Sequence, residues 1–257
     1  MWWAGHYSGM TLFRPISRAA VIAALLVVAA TPAAADTRRY GLTSFDSIQV
    51  LGDMIVEIVP DYRISAVADA SRAALETLSL EVNDRTLVVR QVAEGAFGPR
   101  RASDGPIRIR LRVPALQRVM LRGSGQVSAG QLRGHAISVD VDGPGSVSAR
   151  ALRGESVQLR VVGTGQITIS GQARDVTAIT NGAGGINAAA LIARDLNVRS
   201  FGTGSSLFAA SNTATVVAGG SANVEITGRA RCEVRNTGAG TVACGAASRA
   251  PLPTTAN

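Results

Sequence analysis

The chain has 257 residues, a formal net charge of +8 and 26 basic residues, every one of them arginine. Without lysine there is no Schiff-base, P-loop or lysine general-base chemistry. His135 is the only histidine beyond the first 35 residues, which excludes sites built from several histidines, and aromatic residues at 4% supply few stacking platforms, so no nucleic-acid partner is expected.

The first 35 residues read as a secretory signal. Arg14 and Arg18 form a basic start, Ala19 to Ala30 is unbroken apolar sequence, and Ala33-Ala34-Ala35 is a small-x-small cleavage site. The apolar run falls short of the ~20 residues a membrane-spanning helix needs, so no transmembrane span is expected in the mature chain. Cleavage is expected after Ala35, with Asp36 as the first mature residue. Met10 makes a tidier start than Met1, since the nine residues before it add two Trp and no charge. Export to the periplasm or outer surface of a Gram-negative-type bacterium follows.

Residues 36–122 predict a more irregular β part. Short strands are expected around Phe45–Val50, Ile55–Ile58, Ser79–Val82, Leu87–Val89 and Ile107–Val113, with Asn83-Asp84-Arg85 as a hairpin turn. Ala93 to Pro106 is a Gly/Pro/Arg loop. The last strand alternates so that Arg108, Arg110 and Arg112 share one face. Guanidinium forks pair well with carboxylate, sulfate or phosphate, which makes this a candidate anion-binding face for acidic polysaccharide or lipid headgroups. An ordinary strand with its charged side in water gives the same pattern.

From residue 123 the chain repeats. Gly123, Gly143, Gly163, Gly182, Gly202, Gly220 and Gly238 open copies spaced 20, 20, 19, 20, 18 and 18 residues apart. Each copy holds two runs of period-two apolar residues, such as Val127 and Ala129 followed by Ile137, Val139 and Val141. Such a unit cannot bury its thin apolar edge alone. Stacked copies bury a column of like residues, which predicts a parallel β-helix of about seven 18–20-residue rungs over 123–245. Ser205-Ser206-Leu207-Phe208 shifts the apolar parity, so a bulge or a distorted rung is expected in the copy that begins at Gly202. Residues 246–257 are expected to be a disordered tail.

Phe45-Asp46-Ser47-Ile48-Gln49-Val50, the strand pair around Leu80 and Leu87, and Val113-Pro114-Ala115-Leu116 leading into Gly123-Ser124-Gly125 resemble the auto-transporter adhesin family with the head GIN domain. The resemblance spans about Tyr40 to Gly245. It implies a right-handed parallel β-helix over residues 36–245, exported, with no established enzymatic activity and no cofactor.

Stacked rungs would also line up an outward row of Gln126, Ser146, Gln166, Ser205, Asn223 and Thr241, able to read a glycan or peptide lying along the axis or simply to hydrogen-bond rung to rung. Asp140, Asp142, Asp175 and Asp195 are the carboxylates a polysaccharide lyase or hydrolase on this fold could use, though their placement suits solvent-facing turns better. The expected function is therefore a non-enzymatic binding or structural module of the cell envelope, adhesin-like, with a carbohydrate-active enzyme as the alternative. His135 reads as a solvated turn residue. No metal or cofactor site is expected: Gly184-Gly185-Ile186-Asn187 lacks the acid of calcium-binding β-rolls. For Cys232 and Cys244 the balance leans slightly against a bond. Both have inward parity, but on different runs, and opposite walls lie roughly 10 Å apart.

Overall fold

The computed structural model describes residues 36–92 and 105–245. The expected signal sequence, most of the Gly/Pro/Arg loop and the tail after Gly245 lie outside these residues.

The elements in chain order are β1 (Asp36–Tyr40), β2 (Ser47–Leu51), β3 (Ile55–Pro60), β4 (Ser65–Ala70), α1 (Arg72–Thr77), β5 (Leu78–Asn83), β6 (Thr86–Gln91), β7 (Arg108–Val113), β8 (Arg118–Arg122), β9 (Gln126–Asp142), β10 (Ser146–Gly163), β11 (Gln166–Gly182), β12 (Gly185–Gly202), β13 (Ser205–Gly220), β14 (Asn223–Gly228), β15 (Arg231–Asn236) and β16 (Val242–Cys244). They pair into one 16-stranded sheet wound as a solenoid of about six turns. The fold is the parallel β-solenoid that the repeat implies. Its last glycine, Gly238, opens only the three-residue β16 and not a full rung.

Each of β9 to β13 runs along one wall, turns a corner near its middle and continues along a second wall. On the first wall, Val127, Val147, Ile167 and Ile186 stack in register, as do Ala129 and Ala149. On the second, Val139, Leu159, Ala178, Val198 and Val216 form one buried column. Leu132 and Leu152 meet at the corner, fully buried. Burying each such leucine contributes about 2–3 kcal/mol of transfer free energy.

Two glycine columns let the walls join. Gly143 has φ +113, which a side chain resists. Two residues on, Gly145 lies so near the rung below that an added Cβ would stand 2.7 Å from the Gly123 and Gly125 carbonyl oxygens. Its own N–H donates to the Gly123 oxygen at 2.9 Å. The column begins one glycine earlier than the repeat suggests, at Gly52 (φ +123), whose oxygen accepts from Gly125.

The N-terminal part is less irregular than its sequence. β7 and β3 stack parallel on the first wall below β9, and β6, β2 and β8 stack parallel on the second. Chain order hides this, because β3 inserts between β7 and β9. Antiparallel pairing joins β1 to β4, β4 to β7 and β5 to β6, so that β4 and β5 run against the solenoid strands. β5 and β6 form the expected hairpin, with Asn83 opposite Thr86 and both turn residues, Asp84 (φ 47) and Arg85 (φ 63), left-handed. The short α1 was not foreseen. Ser71 caps it by accepting from the Ala74 N–H, and Ala74 and Leu75 enter the core.

One expectation is refined and one is corrected. The irregularity expected in the rung that begins at Gly202 is present but lies just past Ser205–Phe208: those residues pair in register with Asn223–Ile226, and the register with β12 shifts directly after Phe208. The parity stays intact because Ser206 takes the inward place and Leu207 the outward one. Buried Ser206 Oγ accepts from the Ile186 N–H at 3.2 Å, which satisfies it. The register shifts fall at the corner, between Ala188 and Asp195. The correction is that Cys232 and Cys244 are bonded, with their Cα atoms 6.5 Å apart. The parity was right, since Cys232 follows the buried Ala214 in register and Cys244 follows Ile226. The wall-to-wall distance was wrong for this place. Through the registers Cys232 continues the Ile137 column and Cys244 the Ala129 column, the two columns that flank the corner, where the walls converge.

Candidate functional site

The outward row on the first wall forms in register. Gln126, Ser146 and Gln166 are successive partners, and Ser205 pairs with Asn223. The row is broken between them, because Gln166 stands opposite Gly185, which has no side chain. Beyond the gap the row closes on itself: Thr241 donates from both its backbone N–H (3.1 Å) and its hydroxyl (2.8 Å) to Asn223 Oδ1. Ser205, Asn223 and Thr241 then line a shallow depression of about 210 Å³ with Leu207, Glu225 and Ala243. Part of the ladder is thus rung-to-rung bonding and part is an open polar recess.

Arg108, Arg110 and Arg112 share the outer face of β7 as expected, alternating with buried Ile109, Leu111 and Val113. Two of the three already have anionic partners. Arg110 Nε donates to Glu57 Oε2 at 3.0 Å, and Arg112 reaches Asp61 at 3.4 Å. Such exposed pairs are worth about 0–1 kcal/mol and exchange readily with a competing anion. Arg108 has no ion pair among the described residues.

The candidate carboxylates separate into two pairs. Asp140 and Asp142 lie two apart on β9, and Ser138 donates to Asp140 at 2.6 Å. Asp175 and Asp195 stand opposite each other on adjacent rungs. Asp195 accepts from the Thr213 hydroxyl (2.5 Å) and the Asn212 amide (2.7 Å), and these donors, Thr213 foremost, hold its carboxyl below the usual range. A general acid needs the opposite shift. No group of three or more His, Cys, Asp or Glu able to hold a metal ion occurs among the described residues, and no helix among them is long and apolar enough to cross a membrane.

A second depression, of about 380 Å³, escaped the sequence reading. It lies at the corner between the walls, lined by Arg153, Gly154, Gln172, Ala173, Arg174 and Arg194. The signal was present: Arg133, Arg153, Arg174 and Arg194 recur at intervals of 20, 21 and 20 residues, in step with the glycines. Arg174 and Arg194 each also pair with the aspartate that follows, at 3.9 and 3.6 Å. His135, expected to be merely solvated, is exposed and sits 3.2 Å from Glu155 on the next rung.

Comparison with known proteins agrees with this architecture. The chain is similar in structure to a putative adhesin from Bacteroides fragilis (TM-score 0.72, 19% identity, 82% of this chain and 96% of that one). A protein from Parabacteroides distasonis described as a putative lipid binding protein (TM-score 0.62) and a putative adhesin from Parabacteroides merdae (0.59) are each 16% identical over the same shares of the chains. No curated protein sequence matches. The family model described as "Putative auto-transporter adhesin, head GIN domain" matches residues 44–230, and the chain belongs to that family.

Proposed function

We propose that the mature chain is an exported, non-enzymatic module of the cell envelope that binds an extended anionic partner along its outer surface, in the manner of an adhesin. The observation that carries this reading is the stacked outer surface on which polar groups recur in register, Gln126, Ser146 and Gln166 on three successive rungs and Ser205 with Asn223 beyond the gap at Gly185. A partner with its own linear repeat can meet such a surface at many weak contacts in parallel. Acidic polysaccharide and anionic lipid headgroups both fit the arginine-only basic surface, and the neighbour described as lipid binding makes the second a fair comparator. Arg108 and its two paired neighbours would add to the anionic contact. Of the alternatives, a polysaccharide hydrolase needs a carboxylic acid with a raised pKa, and Asp195 is shifted the other way.

A glycan array probed with the mature protein over a salt series tests this. Retention of acidic glycans that weakens with salt, with the glycans recovered intact, is the expected result. Shortened or unsaturated products would establish the enzyme, and a blank array would end the polysaccharide reading.

A further inference from the structure

The corner depression brings together three guanidiniums from two walls and three rungs. Arg153 leaves β10, while Arg174 and Arg194 leave β11 and β12. The registers explain why they converge. Arg153 stands opposite Gln172, not opposite Arg174, so the arginines step sideways by two residues between the first rung and the second. Arg174 and Arg194 then share one column, because Ala173 pairs with Ala193 and Asp175 with Asp195. The result is two flanks, Arg153 on one and Arg174 with Arg194 on the other, with the Gln172 amide between them and Gly154 and Ala173 as a floor without bulk.

The acids near this corner already have partners, two of them among the site's own arginines, in exposed pairs that a competing anion can displace. Glu155 is 3.2 Å from His135 Nδ1. Asp195 accepts from Thr213 and Asn212, and is 3.6 Å from Arg194. Asp175 is 3.9 Å from Arg174. None of the three lines the depression, and Arg153 has no ion pair among the described residues. Arg133, in register with Arg153, extends the basic row by one more rung.

We infer that this corner is a binding site for an acidic polysaccharide, a sulfated or uronate chain lying along the solenoid axis. This rests on the envelope-binding reading above and names the place and the chemistry of its ligand. Successive rungs are about 4.8 Å apart, so the row from Arg133 to Arg194 spans roughly 15 Å. That is a thread-like footprint with one cation per step. Guanidinium forks match the planar carboxylate and the sulfate oxygens, and the Gln172 amide can meet sugar hydroxyls. A bilayer would instead need a broad, flat contact. The outer face of the second wall offers that geometry, with Arg160, Arg199 and Arg235 alternating with Ile179 and Val217 in one row, which makes it the natural control.

The test compares the mature protein with R153S/R174S/R194S and with R160S/R199S/R235S, which remove equal charge from the two surfaces. All six side chains are exposed, so both variants should fold, and thermal melts check this. Heparin and polygalacturonate are titrated, with neutral dextran and vesicles of phosphatidylglycerol in phosphatidylcholine as comparators. The corner variant is expected to bind both polysaccharides about tenfold more weakly or worse, and the wall variant to bind nearly as the parent does. Hydrogen exchange with polygalacturonate bound should slow around 153–154, 172–174 and 194. Equal loss in the two variants, or none in the corner variant, overturns the site while leaving the module a polyanion binder. Vesicle binding without polysaccharide binding overturns it in favour of a membrane surface. Failure of the parent protein to bind any of these probes overturns the broader reading as well.

Discussion

The two ends of the solenoid are closed by different means. At the N-terminal end the chain folds back on itself: β4 and β5 run against the solenoid strands, β1 pairs antiparallel with β4, and α1 contributes Ala74 and Leu75 to the core. Among the described residues nothing comparable covers the last turn at the C-terminal end. All six residues of β15 are exposed, including Val234, whose register partner Val216 is fully buried. A disulfide between Cys232 and Cys244 ties that end together. In a stacked fold each rung leans on its neighbours, so the terminal rungs are where stability must be supplied by something other than the repeat. One end uses apolar burial and reversed strands. The other uses a covalent link.

The largest expected effect is at the packed end. Leu75→Ala should cost about 3 kcal/mol, since a buried leucine is lost with little chance of collapse around the gap. Denaturant melts of the variant would show it. A loss under 1 kcal/mol would mean that α1 is an ornament on an already closed end.

The open end should respond somewhat less and more locally. Replacing both cysteines with serine should cost about 2–3 kcal/mol, as expected for a short closed loop. Hydrogen exchange should quicken over 223–245 while the hairpin of β5 and β6 keeps its protection. Uniform quickening along the chain would contradict independent ends.

Between the ends, the core holds a polar contact of its own. Thr180 and Ser200 are both buried on adjacent rungs, and the Thr180 hydroxyl donates to Ser200 Oγ at 2.8 Å. Ser200→Ala alone should cost about 1–2 kcal/mol, because it leaves the threonine hydroxyl unsatisfied, and adding Thr180→Val should recover most of it. Additive losses in this cycle would show the pair is not coupled.

The smallest effect is at the surface. Thr213→Val should raise the Asp195 pKa toward the ordinary carboxylate range, followed by NMR titration of its carboxyl carbon. Because the folded pKa is depressed, the associated stability is present above the unfolded value of about 3.9 and is lost as pH falls through the folded value. An unchanged titration would assign the shift to Asn212.

The sequence made the repeating half of this molecule readable because period and parity are local signals. Gly at fixed spacing marks a turn, and alternating Val and Ile marks a wall. The N-terminal half obeys the same stacking rules but hides them: β3 slots between β7 and β9, so residues paired in space are separated by an insertion in sequence. The Ser206 and Leu207 swap shows that parity can hold while hydrophobicity does not. The disulfide was missed because the distance between walls changes around a rung, and only the corner brings them near. The polar row was legible except at Gly185, where a residue with no side chain breaks it. The arginine corner was written in the sequence at the same spacing as the glycines. It is hard to see there because Arg174 and Arg194 each precede, and pair with, an aspartate, so that each looks like a self-contained ion pair and not a member of a basic row.

If the solenoid binds a linear anion along its axis, affinity must depend on how many rungs the ligand covers. Calorimetric titration of the mature protein with galacturonate oligomers of increasing length measures this directly. Binding should strengthen from the monomer until the oligomer covers the roughly 15 Å from Arg133 to Arg194 and then level off, with log K falling steeply as log salt rises. Equal affinity for monomer and long oligomer, or an affinity indifferent to salt, would contradict the extended anionic contact on which the functional reading depends.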